Sequence, residues 1–479
     1  MSPAPAHAAA GRFTSGPITP TLARFALPLL LTNLLHSLTG TWGAIWVGRV
    51  LGPEALTAVV TATVLMYMVM GSAMGIGTAA GVAIGQSLGA GDTKAVKRVV
   101  GCAIAFVMGL SVALAALGWA LTPAIVDGMG IPAASRGFAI THLRMTCLTM
   151  PSIFTYMVMM MMMRGSGDAK TPFRFTLVWI VSAVLLTPLL ISGTHAWGGS
   201  GWAGFGIAGL GLAHLLANGL ALGLLVAYVY WQRSPIALHG DDLRHLQPDP
   251  VLLVLLVKRG LPLAVESIIV QGAYFVLLSM VNAYGAATAA AYAASAQLWG
   301  YVQLPSNALA AAMSAMAAMN IGAGRWDRVN LIARRGCALS FGIASAATLL
   351  MLVLGTLPLR LFVPADAAVL AMAWHINLIV LWGWIALSVT MGLFAIMRAN
   401  GAMLAPTLIF AATMWAGRVP FAHALQPWLG ADAIWWSFPF GALVSALVAW
   451  AWYRRGGWRK NRPMLAAMDS QLDEGHLGE

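Results

Sequence analysis

Apolar runs separated by short polar connections recur along the whole chain, at about residues 22–47, 55–85, 99–125, 138–163, 173–192, 203–231, 258–283, 287–317, 336–358, 368–396, 403–425 and 434–453. Most reach the 18 or more residues that a spanning helix needs. The pattern therefore predicts an all-α integral membrane protein with twelve transmembrane helices. The longest polar connection, roughly 232–257, lies near the middle and carries Asp241, Asp242, Arg244, Asp249 and several prolines. It reads as a cytoplasmic linker between two six-helix lobes, 21–231 and 258–455. Residues 1–20 and 456–479 are then a short N-terminal segment and a polar tail, both expected in the cytoplasm.

The two lobes repeat one another. Met-Arg-Gly-Ser-Gly-Asp-Ala-Lys-Thr-Pro, from Met163 to Pro172, has a counterpart in the second half, Met-Arg-Ala-Asn-Gly-Ala-Met-Leu-Ala-Pro, from Met397 to Pro406. Arg164 falls on Arg398, Gly167 on Gly401 and Pro172 on Pro406. Pro28 falls on Pro262 at the same offset, and Gly89-Ala90-Gly91 falls on Gly322-Ala323-Gly324 at an offset shorter by a single position. Six helices is an even number, so both halves enter the membrane the same way round, as a parallel repeat. The paired arginine stretches read as matching turns between the fourth and fifth helix of each half, markers of symmetry rather than of chemistry.

Composition agrees with the pattern. Sixty per cent of residues are hydrophobic and 9% are charged, against about 25% charged in soluble domains, which excludes a soluble enzyme. The 19 tryptophans suit the aromatic belts at bilayer interfaces. A net charge of +12 would suggest nucleic acid in a soluble chain, but here topology explains it. With both termini inside, all but five of the 27 Lys and Arg fall on the cytoplasmic side, the exceptions being Arg49, Arg136, Arg144, Arg360 and Arg418. Residues 1–20 lack the apolar core of a cleavable signal peptide. Cys102, Cys147 and Cys337 have neither metal nor redox spacing. His239, Asp241, Asp242 and His245 read as a solvated loop rather than a metal site. Gly204 to Gly209 matches GxGxxG but follows no strand, and no GxxxxGK[ST] loop occurs. No enzyme, cofactor, metal or nucleic-acid partner is expected.

In order along the chain stand Pro28 leading into Val47-Gly48-Arg49, Gly85-Gln86-Ser87-Leu88-Gly89-Ala90-Gly91-Asp92, and Arg164-Gly165-Ser166-Gly167-Asp168 through Pro172. The second half adds Asn320-Ile321-Gly322-Ala323-Gly324 and Arg418-Val419-Pro420. Together on twelve helices these resemble the multidrug and toxin extrusion (MATE) transporters. The resemblance implies a V-shaped pair of six-helix lobes exporting drugs or other organic compounds in exchange for protons or sodium. It also exposes a departure. Many bacterial members carry an aspartate before the Val-Gly-Arg of the first helix, and an Asn and an Asp on the fifth. Here Gly43, Ala183 and Thr187 stand at those places, so the usual N-lobe coupling site is dismantled.

Of the 15 acidic residues only Glu266 falls within a predicted helix, roughly 12 Å along the seventh. A carboxylate at such depth is costly unless protonated, paired or hydrated, which makes it a functional candidate. Glu266 is the expected proton-coupling residue. Its repeat mate is Thr32, beside Asn33 and one turn before His36. Asn33, His36 and Gln271 are expected to join Glu266 in a polar cavity lining, His375 and Asn377 are further cavity or substrate candidates, and His375 is also a weaker proton-relay candidate. Arg144 and Arg418 are expected to snorkel or to pair with helix carbonyls. The four-residue glycine stripe from Gly77 to Gly89 predicts close helix packing, and the methionines from Met157 to Met163 predict lipid or core packing. The expected protein is thus a monomeric inner-membrane antiporter embedded in lipid. It would exchange protons, with sodium less favoured, for a small organic substrate, cationic and amphipathic. The alternative is a flippase or exporter of a lipid-linked or anionic precursor, which a basic cavity would favour.

Overall fold

Each predicted span corresponds to a helix in the computed structural model, which describes residues 11–129, 131–194, 201–247, 249–363, 366–460 and 464. The helices are α1 (Ile18–Val50), α2 (Pro53–Ala90), α3 (Thr93–Gly128), α4 (Ala133–Gly165), α5 (Lys170–Ser192) and α6 (Ile207–Trp231), then α7 (Pro250–Asn282), α8 (Ala286–Gly322), α9 (Trp326–Leu354) and α10 (Ala367–Ala399). The eleventh, α11, runs as Leu404–Ala411, a π-helical turn Ala412–Arg418 and Val419–Leu429, and α12 is Asp432–Arg455. Among the described residues there is no strand, and nine helices are long and apolar enough to cross a membrane.

The repeat is visible in the backbone. Gly52, Gly91 and Gly167 turn the chain between helices with φ of 87°, 79° and 84°, and their mates Gly285, Gly324 and Gly401 do so with 97°, 70° and 79°. Side chains other than glycine rarely adopt this region, so the same three turns demand the same residue in both halves.

By contacts the chain divides into two units. One comprises Leu31–Ile84 and Asp92–Gly260, and the other Ala10–Leu30, Gly85–Gly91 and Leu261–Glu479. The division runs through α1 and α2 and, just past the central connection, through α7 between Gly260 and Leu261. In the second unit, residues before α1 are tied down by side chains of α8, of α9 and of the turn between them. Asn320 Nδ2 donates to the Phe13 carbonyl at 3.1 Å, Arg325 Nη1 to that of Thr14 at 2.7 Å and Arg328 Nη2 to that of Gly16 at 2.7 Å.

Glycines set the closest approaches. A Cβ on Gly165 would stand 2.1 Å from the Gly81 carbonyl oxygen, which brings the α2 and α4 backbones together. A Cβ on Gly89 would stand 2.0 Å from the carbonyl of Met319, and one on Gly322 would stand 1.9 Å from that of Gln86. Met159, Met160, Met162 and Met163 are buried in packing. The core of the second unit is aromatic, with Tyr292, Trp299, Trp435 and Phe438 packed together.

The seventh helix starts at Pro250, eight residues before the predicted 258. Proline at the first helical position needs no N–H partner, and Asp249 Oδ1 accepts from the Val251 N–H at 2.9 Å. The last residues assigned to the linker are therefore its first two turns. The rest of the linker includes the 3₁₀ turn Gly240–Leu246, which packs on α3, where Lys97 bonds Asp242.

Candidate functional site

Glu266 lies about 16 residues into α7, about 24 Å along it by the rise of an α-helix. It is paired. Arg398 Nη2 donates to both carboxylate oxygens, at 2.6 and 2.7 Å, and the two side chains are 15% and 17% exposed. Thr407 Oγ1, on α11, adds a third bond to Oε2 at 2.8 Å. Arg398 occupies the last turn of α10, where a cation complements the helix dipole, and it stands over the Phe394 ring at 5.6 Å. One acid, one cation and one hydroxyl thus join three helices of the second unit. This corrects the reading of the paired arginine stretches, because Arg398 is the charge partner of the only carboxylate that, among the described residues, lies in the middle of a spanning helix.

In the first unit the corresponding arginine has no such partner. Arg164 has its Nε buried without a hydrogen bond, and among the described residues no carboxylate pairs with it. Its electrostatic neighbours are Tyr156 and His36. Tyr156 bonds Thr176 at 3.2 Å. His36 packs on Trp179 with ring centroids 4.7 Å apart, and Trp179 on His214 at 6.4 Å. His214 is in turn an electrostatic neighbour of buried His142, whose Nδ1 has no partner. Basic and aromatic side chains thus meet here, with His36 exposed, Arg164 and His214 half-buried and His142 buried. Gly43, Ala183 and Thr187 complete the picture, since Ala183 and Thr187 are buried and the Gly43 Cα faces Leu210.

The other candidates separate into different settings. Asn33 is half-buried on α1 and Gln271 is exposed on α7. His375 is exposed near the start of α10, and its Nε2 lies 2.9 and 3.0 Å from the carboxylate oxygens of Asp432. Asn377 is fully buried and satisfied, accepting from Trp299 Nε1 at 2.8 Å and donating to Ser295 Oγ at 3.0 Å and the Ala373 carbonyl at 2.8 Å. It ties α8 to α10.

Arg144 stands over Trp119 at 5.4 Å. Arg418 does not snorkel. It is buried, ends the π-helical turn of α11 and lies flat on Phe438, with Cζ 3.3 Å from the ring centroid. Sequence reasoning missed the Arg398 pairing because partners 132 residues apart leave no local signal. The available hint was that Arg398 already stood out as a landmark of the repeat.

A polytopic helical protein built from two matching halves, with an ion pair embedded in one of them, has the organisation of a membrane transporter. The MatE family profile matches residues 28–189 and again 262–423, so the second match begins and ends at the repeat mates of the first. The chain is 32% identical over 435 residues to the probable multidrug resistance protein YoeA of Bacillus subtilis, covering 90% of this chain and 93% of that one. It is 27% identical over 453 residues to the probable multidrug resistance protein YpnP of the same organism, covering 93% and 97%. The crystal structure of a MATE transporter in complex with MaL6 superposes with a TM-score of 0.86 at 19% identity, over 94% of this chain and 99% of that one. This chain belongs to the MatE family of multidrug and toxin extrusion transporters.

Proposed function

We propose that this protein is a cation-coupled exporter of small organic compounds that works by alternating access, with Glu266 as its coupling residue. The Glu266–Arg398–Thr407 cluster carries this reading. A proton or a metal cation on the carboxylate competes directly with Arg398, so binding the coupling ion loosens the junction of α7, α10 and α11. Releasing the ion restores it. Protons are favoured over sodium because a proton needs only one carboxylate oxygen, whereas a sodium ion needs a shell of several oxygen ligands and Arg398 already occupies both oxygens of Glu266. The positive-inside bias supports cytoplasmic termini and an inner-membrane location. The curated relatives support a xenobiotic substrate, since both carry the name of multidrug resistance proteins.

A second reading, export of an anionic or lipid-linked compound, is favoured by the first unit. His36, His142, His214 and Arg164 gather there, and among the described residues no carboxylate pairs with Arg164. Purified protein in liposomes separates the readings. A fluorescent cationic dye should accumulate under an imposed proton gradient and not under a sodium gradient of equal size. Movement of anionic dyes alone would instead support the second reading, and a purely sodium-driven flux would defeat proton coupling.

A further inference from the structure

We propose that the second unit holds a binding site for a compact monovalent anion in the cavity beside Arg418. The cavity has room for about 30 Å³ and is lined among others by Tyr274, Trp384, Met414, Arg418, Phe438 and Ser445. Three of these residues present donors with no partner in the protein, namely Arg418 Nη2, Trp384 Nε1 and Ser445 Oγ. All three residues are nine-tenths or more buried, Arg418 being 3% exposed.

The partners that Arg418 does have are weak. Its Nε reaches Ser437 Oγ at 3.4 Å and its Nη1 reaches the Met414 sulfur at 3.6 Å. The Tyr274 hydroxyl is a further side-chain hydrogen-bond partner, Tyr274 and Tyr292 are its electrostatic neighbours, and Phe438 and Tyr274 present ring faces to it. None of these carries a full negative charge, and among the described residues no carboxylate pairs with it. A buried guanidinium without a counter-charge is costly, and unpartnered buried donors are costly too. An anion among the three donors would satisfy both demands at once, whereas water would meet only the second.

The backbone points the same way. Arg418 is the last residue of the π-helical turn Ala412–Arg418, and such bulges concentrate at functional sites because they re-aim a side chain. At the offset that sets Arg164 on Arg398, Gly417 and Phe421 are the mates of Ala183 and Thr187. Arg418 itself falls on Val184, so the first half carries no cation at the matching place. A volume of this size admits a halide or the carboxylate end of a larger molecule, and excludes a bulky organic anion. The site does not depend on which compound is transported or on the role of Glu266.

The test uses the purified full-length protein in detergent, in gluconate buffer, with chloride, bromide or formate substituted at constant ionic strength and the melting temperature followed. The parent should show a saturable rise with at least one of them. A halide response identifies an inorganic anion site, and a response to formate alone assigns it to a carboxylate. Arg418→Met should abolish the rise. Trp384→Phe, which keeps the shape of the cavity and removes one donor to a charge, should raise the half-saturating concentration about tenfold. It carries the test if the arginine variant does not fold. A parent that responds to none of the three ions, an Arg418→Met protein that responds like the parent, or an unchanged half-saturation in Trp384→Phe would each overturn the proposal.

Discussion

Arg164 and Arg398 occupy the same place in the two halves and lead different lives. Arg398 bonds both oxygens of Glu266. Arg164, whose repeat partner for that carboxylate is Thr32, has aromatic and histidine neighbours instead. Duplication has kept the cation twice and the acid once. The backbone at these turns is nearly identical, with Gly167 and Gly401 at φ of 84° and 79°, so here the asymmetry lies in the side chains. Its consequence is that, among the described residues, a buried carboxylate–guanidinium pair joins spanning helices in the second unit and none does so in the first.

The largest effect expected from breaking this asymmetry is at Arg398. Removing one partner of a buried ion pair strands the other, so Arg398→Met should destabilise the protein by about 3–5 kcal/mol in detergent unfolding. Glu266→Gln combined with Arg398→Met should recover much of that loss, a double-mutant cycle that isolates the pair. Gly89→Ala and Gly322→Ala come next, each pushing a methyl into a facing backbone and lowering stability by about 1–3 kcal/mol. Gly109→Ala, with nothing within 4 Å of its Cβ, is the matched control and should not destabilise. Arg164→Met should be neutral to stabilising, because it removes a half-buried charge that, among the described residues, no carboxylate balances. A loss as large as that of Arg398→Met would show that the two halves are equivalent after all.

The smallest effect belongs to the linker. The Lys97 bond holds the Asp242 carboxyl below its usual value of 3.8. A depressed carboxylate contributes stability that is present above its ordinary pKa and lost as pH falls through the folded value. Lys97→Met should therefore lower the melting temperature slightly at neutral pH, by the equivalent of under about 1 kcal/mol. The difference should shrink as pH falls below the ordinary carboxylate value and vanish once it has passed the lower value of the folded protein.

The helices and the repeat were legible in the sequence because lipid imposes length and apolarity on every span, and because turns that need glycine repeat it. The start of α7 was obscured by Lys258 and Arg259. Their charges look like a boundary, although the Asp249-Pro250 pair before them carries the cap. Glu266 was legible as a lone acid in an apolar run. Its partners were not, since Arg398 and Thr407 come from α10 and α11 and only folding brings them to α7. Asn377 shows the converse. A polar residue inside a spanning helix attracts a functional reading, yet its bonds to Trp299, Ser295 and the Ala373 carbonyl are those of a helix-packing residue. Arg418 was expected to snorkel or to pair with helix carbonyls, and is instead enclosed at the end of the π-helical turn, over the Phe438 ring.

The central claim is that Glu266 links ion binding to substrate movement, and the most direct measurement compares two modes of transport in the same liposomes. Glu266→Gln should retain substrate exchange between compartments at equal pH and lose the acceleration that an imposed proton gradient gives the parent. A Glu266→Gln protein that responds to the gradient as fully as the parent would contradict the account.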